Sequence, residues 1–104
     1  MKTIAIATLS WIVSAGLLYA GASEGKELFT AKCQACHGAN GEGKAAIAKM
    51  YNVTLPPLAS KEVQAKSDAD LKKVVVSGKG KMKAVAGVTE KQADDIVAFL
   101  RTLK

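Results

Sequence analysis

The chain has 104 residues, with 15 Lys+Arg against 9 Asp+Glu and a formal charge of +6. That length gives one domain near the lower end of comfortable size, and five aromatic residues leave little with which to fill a large core. A single arginine and no aromatics interleaved with the lysines argue against nucleic-acid binding; the positive balance suits acidic partners.

The N-terminus reads as a secretory signal. Lys2 is followed by an almost wholly apolar run, Thr3–Leu18, and then by Ala20-Gly21-Ala22, a small-x-small cleavage pattern. The run is shorter than the roughly 20 residues of a spanning helix, and no cysteine stands near the site for a lipid anchor. The expectation is therefore a signal peptide over residues 1–22 and a single exported, periplasmic domain over residues 23–104, with no stable membrane insertion after cleavage. Removal of the signal takes away Lys2 and no acid, so the domain keeps a charge of +5.

Gly25, Leu28, Phe29, Lys32, Cys33 and Cys36 recur at spacings of three and four, which predicts a helix. Ser23 is a candidate cap for it, although a free amine there would oppose the helix dipole. The helix runs into "CQACH", Cys33 to His37, which holds the only two cysteines and the only histidine. In an oxidising compartment the two thiols admit a disulfide. A thioredoxin-type centre would need an apolar strand before the motif, and what precedes it is helical. A zinc site would need a fourth ligand, which no other Cys or His supplies. The adjacent histidine decides the matter, because C-x-x-C-H is the covalent haem attachment motif. The expected cofactor is one haem c, bound through Cys33 and Cys36, with His37 as an iron ligand.

Further along, "GANGEG" (38–43) reads as a turn and "KAAIAKM" (44–50) as one or two helical turns. "TLPPLAS" is stiffened by Pro56 and Pro57. Ser60 opens a short helix. Ser67 and Asp70 read as a capping box for a helix ended by Gly78, with Val74-Val75-Val76 helical for want of a partner strand. "GKGKMKAVAG" reads as loop. Thr89 and Gln92 form a second capping box before a terminal helix with Ile96, Val97, Phe99, Leu100 and Leu103 apolar and Lys91, Asp94, Asp95 and Arg101 polar. The predicted architecture is all-α, four or five short helices around one prosthetic group.

With "GKELFTAKCQACHGANGEGK", "GKGKM" and "DDIVAFLRTLK" on the page, the domain resembles the class I c-type cytochromes, especially the small bacterial ones. The resemblance implies the cytochrome c fold, with the first helix packed on the last through Gly25, Phe29 and Phe99. It implies a proline carbonyl, from Pro56 or Pro57, accepting a hydrogen bond from the proximal imidazole. It also implies a methionine as the second iron ligand, drawn from the loop that holds Met82. Met50, in an apolar helical pattern, has core packing as its ordinary role, and Met1 leaves with the signal. Lys83 and Val85 stand where many relatives carry proline and an aromatic. Gln64 and nearby lysines are candidate partners for the haem propionates.

A His37/Met82 pair would saturate the iron, which implies a monohaem one-electron carrier rather than an enzyme. Its partners would be redox proteins with acidic docking surfaces, steered by Lys32, Lys79, Lys81 and Lys83, and the protein itself a monomer. The alternative is a ligand-binding haem sensor or a small haem enzyme with a displaceable methionine.

Overall fold

The computed structural model describes residues 15–104, with side chains from Gly21 onward. Of the expected signal segment, residues 1–14 lie outside the described part, and residues 15–22 belong to the first helix. Six helical segments follow one another: α1 (Ala15–Lys32), α2 (Gln34–His37), α3 (Ala45–Tyr51), α4 (Lys61–Gln64), α5 (Asp68–Ser77) and α6 (Glu90–Arg101). Two of them, α2 and α4, are four residues long. Among the described residues the only strand-like pairing is an isolated bridge between Lys79 and Met82. The all-α expectation holds.

The frame is the crossing of α1 and α6. A Cβ on Gly25 would run into the carbonyl of Asp95, so the two backbones meet where α1 has no side chain. One turn further on, Phe29 and Phe99 face each other with ring centroids 5.2 Å apart and planes tilted by 52°. Around them lies the main core: Phe29, Cys33, Val75, Ala93, Ile96, Phe99 and Leu100. A smaller cluster of Val63, Leu71 and Val97 carries α4 and α5, and Leu58 packs against both clusters.

Local signals set the helix starts. Ser60 accepts from the Val63 amide and opens α4. At α6 the Thr89 hydroxyl accepts from the Gln92 amide while the Gln92 side chain accepts from the Thr89 amide, a complete capping box. At α5 only half of the expected box forms: Ser67 accepts from the Asp70 amide, and no bond returns from Asp70. Aspartate is one methylene too short to reach back as Gln92 does. Gly78 stops α5, as expected. Val74, Val75 and Val76 are helical.

One expectation about a polar residue is corrected, and the burial of a second was not expected. In the full chain Ser23 is not a helix cap, because α1 is already helical at Ala15 and Ser23 lies inside it. Asp95, polar in the sequence, is buried. It is only 7% exposed, held between α1 and α6, and its carboxylate takes the Lys91 ammonium at 2.9 Å, which also reaches Glu24 at 3.3 Å.

Candidate haem-attachment site

The motif is displayed by a hitch between two helices. The Cys33 amide still donates to Phe29 O at 2.8 Å, continuing the run of α1, but Cys33 itself has φ −117° and breaks it. Cys36 and His37 then both donate to the Cys33 carbonyl, at 3.3 and 3.0 Å, so the whole motif occupies one turn. The chain folds straight back over that turn. The Gly43 amide donates to His37 O at 2.7 Å and the Lys44 amide to Cys36 O at 3.0 Å, which satisfies the carbonyls at the end of α2.

Cys33 is buried and Cys36 exposed, so the one turn presents its two sulfurs differently, one against the core and one at the surface. Burial pushes the Cys33 thiol up from its ordinary value; the neighbouring Lys32 charge partly offsets this and Cys36 adds to it. Burial lowers His37, which favours the neutral imidazole that ligates a metal. Its Nδ1 is buried and has no hydrogen-bond partner. The expected bond to the carbonyl of Pro56 or Pro57 is therefore not made. Buried polar atoms are seldom left unmatched. A neutral, partly buried imidazole with an unmatched nitrogen, beside two cysteines in one turn, fits a haem attached at this point.

Met82 is half-buried in a loop held by its own geometry. Lys79 and Met82 exchange both backbone bonds, Lys79 N to Met82 O at 2.8 Å and Met82 N to Lys79 O at 3.0 Å. Gly80, the first of the two residues between them, has φ +58°, and no non-glycine in the loop has a positive φ, the signature of a type II′ turn. A Cβ on Gly78 would sit 2.6 Å from Met82 O and 2.7 Å from Ala84 N, so the returning strand lies against bare backbone. Beyond it, the Val85 amide donates to Val75 O at 2.9 Å and the Lys32 ammonium to Ala86 O at 3.1 Å.

Met50 does not take the core role expected of it. It is 66% exposed on α3, whose inward face is made by Ile47 and Ala48. Gln64 is not free for a propionate either. Its Nε2 donates to Leu58 O at 2.8 Å and to Leu100 O at 3.0 Å, and its Oε1 accepts from Arg101. Arg101 itself was legible only as a polar residue. Nothing in the local pattern announces that it gathers Gln64, Lys66 and Asp68. Lys79, Lys81 and Lys83 are exposed and form no ion pair among the described residues.

A family model described as Cytochrome c matches residues 22–104. Cytochrome c-554(547) of Halothiobacillus neapolitanus is 33% identical over 90 residues, spanning 80% of this chain and 97% of that one. The solved KustC0563 c-type cytochrome shares the fold, with a TM-score of 0.66 over 77% of this chain and 96% of that chain at 23% identity. The chain thus belongs to the cytochrome c family and is a monohaem electron carrier, its haem c joined covalently to Cys33 and Cys36.

Proposed function

We propose that the protein is an exported one-electron shuttle in which His37 and Met82 are the axial ligands of the haem iron. The observation that carries this reading is the contrast between the two methionines of the domain. Met82 is half-buried in a loop fixed by the Lys79–Met82 bridge and by Gly78, whereas Met50 is 66% exposed on a helix turned outward. A haem ligated in this way supplies one-electron Fe(III)/Fe(II) chemistry, with the thioether favouring Fe(II).

The chain's own residues supply the rest. Cys33 and Cys36 tether the group, and the single turn between them orients His37. The apolar cluster around Cys33, with Phe29 and Phe99 in it, excludes water beneath the attachment point. Were His37 and Met82 both to hold the iron, no open position would remain for a substrate, which favours a carrier over a sensor or an enzyme. Lys79, Lys81 and Lys83 stand exposed around Met82 and suit long-range attraction of acidic redox partners. Export follows from the N-terminal pattern: cleavage after Ala22 would start the domain at Ser23, retain the part of α1 that carries Gly25 and Phe29, and leave it in the periplasm.

Comparing Met82→Ala with Met50→Ala tests the ligand. Met82→Ala should keep the covalent haem, lose the far-red ferric absorption of a thioether ligand, lower the potential and bind CO readily in the ferrous state. Met50→Ala should change none of these. A thioether spectrum that survives in Met82→Ala and disappears in Met50→Ala would exchange the two assignments.

A further inference from the structure

We propose that Lys32 is a positioning residue for Met82: its ammonium latches the Met82 loop to the helix that carries the haem-attachment cysteines. The inference deepens the His37/Met82 reading and rests on it.

The loop from Gly78 to Val88 is well tied at its start and poorly tied at its end. Its first half is held by the Lys79–Met82 bridge, by the close approach of Met82 and Ala84 to Gly78, and by the Val85–Val75 bond. After Val85 the backbone has no partner in the helices. Among the described residues, the Lys32 Nζ to Ala86 O bond of 3.1 Å is the only side-chain hydrogen bond to residues 86–88, and the only hydrogen bond that ties them to a helix. Gly87, with φ +74°, closes the turn there, and a Cβ on it would lie 3.8 Å from the same Nζ. Val85 and Val88 rest against the main core on either side of the latched carbonyl.

The position of Lys32 in the chain gives this bond its consequence. Lys32 immediately precedes Cys33, so its backbone is fixed to the attachment point, and its bond crosses 54 positions of sequence to the far side of the ligand loop. An ammonium donating to a carbonyl makes a charge-assisted bond, stronger than a neutral one. Its exposure limits what it adds to global stability, but the loop's own opening equilibrium responds to it directly. An outside ligand that competes with Met82 binds in proportion to the fraction of loops that are open. Lys32 is thereby distinguished from Lys79, Lys81 and Lys83, whose side chains have no such partner among the described residues.

Imidazole titration of the ferric holoprotein measures that fraction. Lys32→Gln should bind imidazole about three- to tenfold more tightly than the wild type, the scale of one charge-assisted bond lost at a partly exposed site. Lys32→Arg, which keeps a cationic donor of similar reach, should restore wild-type affinity. Lys81→Gln, which removes the same charge without removing a latch, should leave it unchanged. Equal affinities in Lys32→Gln and the wild type, or an equal rise in Lys81→Gln, would overturn the latch. Hydrogen exchange of the Met82 and Val85 amides gives a readout independent of the iron: both should exchange faster in Lys32→Gln while α1 and α6 keep wild-type rates, and unchanged exchange counts against the latch. If the wild-type ferric protein shows no thioether absorption, Met82 is not the ligand and the positioning role falls with it. The exchange data then report whether the tether to the loop exists on its own.

Discussion

Arg101 shows how much one side chain does for the lower half of the domain. Its Nε donates to Asp68 Oδ1 at 2.8 Å, one terminal nitrogen reaches Gln64 O at 2.9 Å and Gln64 Oε1 at 3.1 Å, and the other reaches Lys66 O at 2.6 Å. Two of these acceptors are main-chain carbonyls: Gln64 O, left over at the end of α4, and Lys66 O, two residues beyond it. The planar fork of arginine serves diverging acceptors that a lysine point charge cannot. Arg101→Lys should therefore destabilise the protein by about 1–2 kcal/mol, read from denaturant unfolding, with the visible spectrum unchanged. Met50 gives the opposite expectation. At 66% exposure it has little packing to lose, so Met50→Ala should stay within about 0.5 kcal/mol of wild type in the same assay. Sequence alone points the other way for this residue, because an apolar position on a seven-residue helix does not reveal which face the rest of the molecule covers.

At the scale of elements, the α1–α6 crossing depends on Gly25. Any side chain there meets the Asp95 carbonyl, which is main chain and cannot swing aside. Gly25→Ala should push the helices apart and cost about 1–3 kcal/mol or more. Because Cys33 sits in the same cluster as Phe29 and Phe99, loosening of the haem environment should accompany the loss, seen as a weakened circular dichroism signal in the Soret region. An unchanged unfolding midpoint would mean that α1 does not cross α6 at this glycine. Most helix boundaries were readable in advance because they are written in local chemistry: Ser60, Ser67 and Thr89 cap, and Gly78 stops. The C-x-x-C-H turn was readable for the same reason, since its spacing is its function. The burial of Asp95 was not, because it is set by what crosses it. The one hint was its place four residues before Phe99, on the covered face of α6. The Lys32–Ala86 bond was equally hidden, joining segments that nothing local brings together.

Over the whole molecule, charge is distributed unevenly. Lys72 pairs with Glu90 and Asp94, Lys91 with Glu24 and Asp95, and Arg101 with Asp68. Three cations thus answer five of the nine carboxylates, all of them on α1, α5 and α6. The Met82 loop carries Lys79, Lys81 and Lys83 in five residues with no acid among them and no ion pair among the described residues. Other lysines without an ion pair are scattered over the rest of the described surface, but nowhere else do three stand at alternate positions, and these flank the proposed ligand. A field of that kind acts on encounter rates before contact and is screened over about 10 Å at 0.1 M salt. Changing Lys79, Lys81 and Lys83 together to Glu should slow electron transfer to an acidic partner at low salt by tenfold or more, within the roughly 10- to 1,000-fold range of electrostatic steering. It should also flatten or reverse the dependence on ionic strength, both measured by stopped-flow mixing. The reduction potential should move little, because these exposed charges are screened by water. A large potential shift with an unchanged salt dependence would mean that the loop lysines act on the iron, and that partners are steered from another face.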